Sequence, residues 1–176
     1  MPAILLTGRP GVGKTTVIHK TVEMLRRPAG GIYTREVRHG GRRTGFEIVT
    51  LDGKTAPLAT TREDLHFARS GRHGRYRVNL AGLEQVAVPA LKAAHRAGGL
   101  VIVDEIGPME ILSAPFCEAV WNLLEAGAPL LGTVVSRPYR FADDVKEHAR
   151  VSLRQVTPAN RDELPQELAA LLEAPP

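Results

Sequence analysis

Eight consecutive residues near the start of the chain, G-R-P-G-V-G-K-T at positions 8–15, have the types and spacing of a phosphate-binding loop. They follow a short apolar run and precede a helical pattern, which is the strand–loop–helix setting that such a loop requires. The glycines leave backbone N–H groups free to face phosphate oxygens, and the helix adds the positive end of its dipole. A glycine-rich turn without a ligand is the alternative interpretation.

Two side chains of this loop carry chemistry of their own. The Lys14 ammonium can lie between the β- and γ-phosphates of a nucleotide and assist catalysis, and the Thr15 hydroxyl can coordinate Mg²⁺. We therefore expect a nucleotide di- or triphosphate as ligand and Mg²⁺ as cofactor. The predicted phosphate-binding residues are Gly8, Arg9, Pro10, Gly11, Val12, Gly13, Lys14 and Thr15.

A pair of acids follows the most apolar run of the chain. Residues 100–103 have the continuous apolar pattern of a strand buried on both faces, and Asp104 and Glu105 follow them directly. Since ligands of α/β sheets bind at the carboxyl ends of strands, we expect this pair beside the loop. Asp104 would hold the metal, partly through water, and Glu105 would deprotonate the water that attacks the γ-phosphorus. Alternatively, both acids only cap the next turn.

The elements that must position these residues alternate between strand and helix patterns, which predicts a parallel, doubly wound sheet. An antiparallel insertion is predicted at about 32–80, because two extended runs there are separated by Gly40-Gly41. We expect one domain, residues 1–176. Strands are predicted at 3–7, 76–80, 100–103, 129–135 and 151–156, and helices at 14–26, 82–97, 113–126, 143–149 and 161–173.

Further polar side chains give weaker signals. Arg9, Arg35 and Arg137 are candidates to compensate charge in a transition state, and each is also compatible with an ordinary surface arginine. Asn160 and Arg161 could approach a base or ribose, or Asn160 could cap the last helix. The guanine-reading N-K-x-D element is absent from the sequence, which predicts weak base discrimination.

The segment after the acid pair contains one glycine and a third acid. We expect Gly107 to let the backbone approach a nucleotide closely. Glu110 is interpreted as an acid in the first turn of the next helix rather than as a catalytic group. The six histidines have no paired metal-ligand spacing, so no zinc site is expected.

Composition is ordinary for a globular protein, with 43% hydrophobic and 24% charged residues and a net charge of +4. No apolar run approaches a membrane span, and the single Cys117 fits a reducing compartment, so we expect a cytoplasmic protein. A monomer is also expected. Residues 35–77 contain ten Lys/Arg and five Asp/Glu. This basic stretch could attract nucleic acid or a polyphosphate, although a solvated arginine-rich surface is the simpler interpretation.

Several motifs together resemble the thermophilic-type nucleoside triphosphatases, whose animal members are called cancer-related nucleoside triphosphatases. The resemblance spans nearly the whole chain, and V-D-E-I-G-P-M-E with the R-x-G-F hairpin is its most specific part. The matching stretches are T-G-R-P-G-V-G-K-T-T from Thr7, Y-T-R-E-V-R from Tyr33, G-G-R-R-T-G-F from Gly40, V-D-E-I-G-P-M-E from Val103, Gly132-Thr133 and T-P-A-N-R-D from Thr157.

The resemblance implies a three-layer P-loop NTPase fold, related to the RecA-like and nucleotide-kinase groups, and slow Mg²⁺-dependent hydrolysis of nucleoside triphosphates with broad base specificity. Pro108 departs from the family pattern, where lysine is expected in many members. A nucleotide or small-molecule kinase and a nucleotide-gated, RNA-associated switch remain alternatives. The resemblance adds a second nucleotide-binding stretch of Val101, Ile102, Val103, Asp104, Glu105, Ile106, Gly107 and Pro108.

Overall fold

A single mixed β-sheet runs through the protein, as seen in a computed structural model that describes residues 3–174. Its strand order is β5-β6-β4-β3-β2-β7-β8-β1-β9. The five strands β2, β7, β8, β1 and β9 are parallel neighbours, and the other pairings are antiparallel. The strands are β1 (Ala3–Thr7), β2 (Ala29–His39), β3 (Arg42–Thr50), β4 (Thr55–Thr60), β5 (Ser70–His73), β6 (Tyr76–Asn79), β7 (Leu100–Ile106), β8 (Leu130–Val134) and β9 (Val151–Gln155).

Helices cover both faces of this sheet and give the expected three layers. The helices are α1 (Lys14–Met24), α2 (Leu80–Gly82), a π-helical turn (Leu83–Ala87), α3 (Val88–Arg96), a 3₁₀ turn (Glu110–Leu112), α4 (Ala114–Glu125), α5 (Arg140–Glu147) and α6 (Leu164–Glu173). Among residues 3–174, no helix combines the length and apolar character that crossing a membrane requires.

Alternation of side chains along the parallel strands separates two hydrophobic clusters. Leu5 of β1 faces the cluster formed with α3, α4 and α5, whereas Ile4 and Leu6 face the cluster formed with α1 and α6. Each strand therefore contributes alternate residues to opposite faces, as a period of two requires. This burial on both faces explains why the central strands are continuous apolar runs.

The predicted antiparallel insertion is present, but it continues the central sheet. The first residues of β2 pair in parallel with β7, and from Ile32 onward β2 also pairs with β3 across the Gly40-Gly41 turn. Sequence analysis missed β4 and β5. The β4 sequence T-A-P-L-A-T lacks a strong strand pattern, and its Pro57 lies where the β3–β4 register shifts beside Glu47, as is typical of proline in a sheet.

Helix boundaries differ from the predictions at several places, and the predicted helix 143–149 spans Arg140–Glu147. The predicted helix 82–97 contains a π-helical turn, and Asn79 caps its start by accepting from the Gly82 N–H at 3.0 Å. The last helix begins at Leu164 rather than at residue 161, and its N-cap position is Glu163, so the expected cap by Asn160 is wrong. Asn160 instead folds the preceding turn, accepting from the Thr157 N–H at 2.8 Å.

Candidate active site

The loop of residues 8–15 connects β1 to α1 and depends on glycine at defined positions. Gly8 has a φ of 151°, and a Cβ atom there would lie 2.7 Å from the Val156 carbonyl oxygen. Gly13 has a φ of 108° and stands at the N-cap of α1. Both backbone conformations are rarely adopted by other residues, and Gly8 also has no room for a side chain.

The start of α1 offers unpaired hydrogen-bond donors and positive charge. Its first helical hydrogen bond joins the Val17 N–H to the Gly13 carbonyl at 2.9 Å, so earlier N–H groups of the helix have no partner within it. No acid occupies the first turn. Lys14 Nζ donates to the Gly8 carbonyl at 3.3 Å and thus lies over the loop. Donors, dipole and ammonium together form an anion-binding site.

The acid pair lies at the same edge of the sheet as this loop. In the parallel register, Val103 of β7 is opposite Gly132 of β8, which is opposite Leu5 of β1. The carboxyl ends of β1 and β7 therefore meet at one edge. β7 extends through Asp104 and Glu105, which are joined by a cis peptide bond, and continues to Ile106.

Asp104 is 1% exposed and is held from the neighbouring strand. Its Oδ1 accepts a hydrogen bond from the Thr133 hydroxyl at 2.5 Å. Its Oδ2 is buried without a hydrogen-bond partner in residues 3–174. A buried carboxylate oxygen normally has a partner, so Oδ2 is available to a ligand or a bound water.

Glu105 has a perturbed acidity. Burial raises the pKa of its carboxyl, the Lys14 ammonium lowers it, and the negative charge of Asp104 raises it again, with a net increase. The opposing effect of Lys14 places both groups within electrostatic reach of each other. A carboxylate of raised basicity can accept a proton from water.

The other residues of the second predicted stretch occupy different environments. Val101, Val103 and Ile106 are buried in one hydrophobic cluster, and Ile102 is buried in the other, against which Val12 of the loop packs. Asp104 and Glu105 are the side chains of this stretch that can hold a metal or accept a proton. Pro108 is partly exposed in the turn after β7.

Two functional candidates have positions that the sequence did not indicate. Thr133 binds Asp104, and its only signal was a polar residue within the apolar strand L-L-G-T-V. Glu110 was expected in the first turn of a helix, but it is 5% exposed at the start of the 3₁₀ turn. Burial, followed by the charge of Glu105, raises the pKa of Glu110 to about 8.

The three arginine candidates differ in their contacts and positions. Arg35 is paired with Glu47, with Nη2 2.5 Å from Oε2. Arg9 lies within the loop and Arg137 follows β8, and both are exposed.

A cavity of about 460 Å³ lies beside the loop of residues 8–15. It lies between the loop and the segment after β9, and Arg161 donates weakly to the Val12 carbonyl at 3.5 Å across it. A cavity of about 510 Å³ lies elsewhere, between the start of β2 and α3. The lining of the loop-side cavity is Arg9, Pro10, Gly11, Val12, Gln155, Val156, Thr157, Pro158 and Arg161.

Six of the ten basic side chains in residues 35–77 form ion pairs with acids. Glu36 pairs with both Arg38 and Arg43, and Arg69 pairs with Glu84. Similar pairs join Arg35 to Glu47, Lys54 to Asp52 and Arg62 to Asp64. These contacts are compatible with a solvated arginine-rich surface, and the stretch keeps its excess of basic residues.

The fold and this site define a nucleotide-binding α/β protein of the P-loop class. A family model described as NTPase matches residues 3–169, and the chain belongs to this nucleoside-triphosphatase family. The resemblance drawn from the sequence motifs is thereby confirmed.

Curated relatives and solved structures agree with this assignment. The nucleoside-triphosphatase THEP1 of Thermotoga petrophila is 44% identical over 97% of this chain and 92% of its own length. The human cancer-related nucleoside-triphosphatase is 40% identical over 92% of this chain and 91% of its own. The crystal structure of THEP1 from Aquifex aeolicus has a TM-score of 0.84 at 33% identity, covering 99% of this chain and 100% of that one. The protein is therefore an enzyme of the nucleoside-triphosphatase class.

Proposed function

We propose that the protein hydrolyses nucleoside 5′-triphosphates, including ATP and GTP, to the diphosphate and phosphate in a Mg²⁺-dependent reaction with broad base specificity. The observation that carries this proposal is the meeting of Lys14 with the Asp104–Glu105 pair at one edge of the sheet. We further propose that the chain acts as one domain, because both hydrophobic clusters share one sheet.

The loop of residues 8–15 binds the phosphates. The free N–H groups of the loop and of the first turn of α1 surround the β- and γ-phosphates, and Lys14 exchanges its contact with the Gly8 carbonyl for phosphate oxygens. This exchange replaces a neutral acceptor by a charged one and strengthens the hydrogen bond.

The residues available for Mg²⁺ fit that ion. The buried, unpartnered Asp104 Oδ2 can hold a metal-bound water, and Thr15 at the start of α1 can supply a hydroxyl ligand. Within residues 3–174, no group of three or more His, Cys, Asp or Glu forms a metal cage. This agrees with Mg²⁺, which keeps several waters and takes few protein ligands besides phosphates. When bound, Mg²⁺ neutralises charge that develops on the phosphate oxygens.

Glu105 performs the proton transfer. Its carboxylate takes a proton from a water molecule as the water oxygen bonds to the γ-phosphorus. The bond from the γ-phosphorus to the β–γ bridging oxygen breaks, and that oxygen leaves with the nucleoside diphosphate. The raised pKa of Glu105 increases its affinity for this proton.

The loop-side cavity is our proposed nucleoside site. It adjoins the loop, and Arg161 gives it a planar cation that can stack on any base. Within residues 3–174, no acidic side chain lines it, so this lining lacks the carboxylate with which N-K-x-D proteins read guanine. These features support broad base specificity.

The substitution Glu105→Gln tests this function. It removes the base but keeps the shape of the side chain, so we expect phosphate release to fall at least about 100-fold, with unchanged binding of a fluorescent ATP analogue. Glu118→Gln, at an exposed position on α4, is the matched control. Full turnover by Glu105→Gln would exclude Glu105 as the base, and ATP-dependent phosphorylation of added nucleosides without free phosphate would indicate a kinase.

A further inference from the structure

Glu110 is a buried carboxylic acid beside the proposed catalytic base that the mechanism above does not use. It lies in the short connection between β7 and α4 and is 5% exposed. Backbone hydrogen bonds from Ile111 N–H to the Gly107 carbonyl at 3.1 Å and from Ser113 N–H to the Glu110 carbonyl at 3.0 Å hold the turn. A buried carboxyl is costly, so its position needs a physical reason.

Gly107 shows how closely Glu110 approaches Glu105. A Cβ atom on Gly107 would lie 2.9 Å from Glu110 Oε2, 3.2 Å from Glu105 Cγ and 3.3 Å from Glu105 Cδ. Both acidic side chains therefore border the same small space beside the Gly107 Cα. Glycine at position 107 leaves room for both acidic side chains, and the nucleotide contact that we expect of Gly107 stays a prediction.

Two carboxyl groups that share a buried space do not both ionise readily. Glu105 faces the Lys14 ammonium, which favours its charged form. Glu110 is more deeply buried, and burial together with the charges of Glu105 and Asp104 raises its pKa to about 8. The Glu110 carboxyl therefore stays largely protonated at pH 7, whereas Glu105 has a nearby cation that opposes the effect of its burial.

The other elements packed against this turn are largely apolar there. Helix α4 contacts it through Cys117, whose Sγ donates to the Ile111 carbonyl at 3.5 Å and whose pKa burial raises to about 11. Strand β5 contacts it through Gly71 against Leu112. The groups that raise the pKa of Glu110 besides burial are thus the charges of Glu105 and Asp104, both on β7, while hydrogen bonds from the backbone N–H groups of Glu110 and Gly107 lower it.

We propose that Glu110 is a positioning residue, whose neutral carboxyl donates a hydrogen bond to the Glu105 carboxylate and keeps it oriented toward the attacking water. This role rests on the proposed function, since it acts through Glu105. Glu110 does not touch the nucleotide, and its contribution is to kcat rather than to nucleotide affinity. Above its own pKa it loses the donated proton and becomes a second negative charge beside the base.

Two variants of similar size separate hydrogen bonding from packing. Glu110→Gln keeps a neutral donor, and Glu110→Met fills the space without one. We expect Glu110→Gln to retain kcat within about threefold and Glu110→Met to lose about 100-fold, the scale of a misplaced reacting group. Both should bind a fluorescent ATP analogue within about threefold of the wild-type Kd. Glu118→Gln is again the control.

The pH profile gives a readout that a purely structural role would not change. In the wild type, kcat should fall as pH rises through about 8, because Glu110 ionises. This fall should be absent in Glu110→Gln. Equal kcat values for Glu110→Gln and Glu110→Met would overturn the proposal, as would a loss of Mg²⁺ affinity at unchanged kcat, which would make Glu110 a metal-site residue.

The double variant Glu105→Gln/Glu110→Met separates failure of this inference from failure of the proposed function. If Glu110 acts through Glu105, the double variant should be no slower than Glu105→Gln alone, because the two effects are not additive. A further loss of the same size as in the single Glu110 variant would refute the positioning role while leaving Glu105 as base. Full activity of Glu105→Gln would instead refute the proposed function.

Discussion

Replacing Thr133 with valine should disturb both stability and metal dependence. The change keeps the shape of the side chain but removes the hydroxyl that donates to Asp104 Oδ1 at 2.5 Å. Since Oδ2 already lacks a partner within residues 3–174, the buried carboxylate would lose its only recorded side-chain donor. A hydrogen bond to a charged group contributes about 1.5–3 kcal/mol.

This loss can be measured in two ways. A destabilisation of about 2 kcal/mol should lower Tm by roughly 4–8 °C for a chain of this size, as followed by circular dichroism in EDTA. Thr133 also orients a proposed metal-site residue, and loss of such support typically weakens metal binding about 10–100-fold. Titration of phosphate release with MgCl₂ should therefore show a correspondingly higher half-saturating concentration.

Thr133→Ser is the matched control, because it keeps the hydroxyl and removes one methyl group, at a cost of about 1 kcal/mol. We expect it to retain the Mg²⁺ dependence of the wild type. If Thr133→Val kept both the wild-type Tm and the wild-type Mg²⁺ titration, the reasoning that Thr133 holds Asp104 would be refuted. A lower Tm with an unchanged titration would limit Thr133 to a structural role.

Two more substitutions test the loop and the cavity. Gly8→Ala should destabilise the protein by about 1–3 kcal/mol and weaken ATP binding at least tenfold, because its Cβ would lie 2.7 Å from the Val156 carbonyl. Gly41→Ala, with a positive φ but open space around it, should leave binding unchanged in the same fluorescence titration. Arg161→Ala should weaken ATP and GTP binding about threefold to tenfold alike, since stacking of a guanidinium contributes about 0.5–2 kcal/mol on any base.

Specific results would contradict these expectations. Wild-type ATP affinity of Gly8→Ala would mean that the loop can move away from the Val156 carbonyl without losing its donors. For Arg161, inorganic tripolyphosphate is the control ligand because it has no base. Equal weakening of tripolyphosphate and ATP binding would show that Arg161 contacts phosphate instead of the base.

The loop and the strands beside it could be predicted because their signals are local. β1 has the predicted bounds, and α1 begins at Lys14 as expected and ends at Met24, two residues early. The apolar run before Asp104 identified a doubly buried strand, and parallel topology then placed its carboxyl end beside the loop. Each of these inferences needs only neighbouring residues and one rule of sheet geometry.

The features that were missed depend on contacts between distant residues. The sequence around β4 resembles a loop, and this strand forms because β3 and β6 pair with it on both sides. The sequence around Glu110 is typical of the start of a helix. The side chain is buried because the turn at Gly107 brings it close to Glu105. Thr133 acquires its partner only through the pairing of adjacent strands.

The double pairing of β2 has a mechanical consequence. Ile32 and Tyr33 are each opposite a residue of β7, Val103 and Asp104 respectively, while the same two residues also pair with β3. Since the paired strands β2 and β3 continue the sheet that carries the acids, we expect the β2–β3 hairpin to move together with that sheet. A spin label placed at the Gly40-Gly41 turn should then show the same rotational mobility as the whole sheet, both with and without nucleotide.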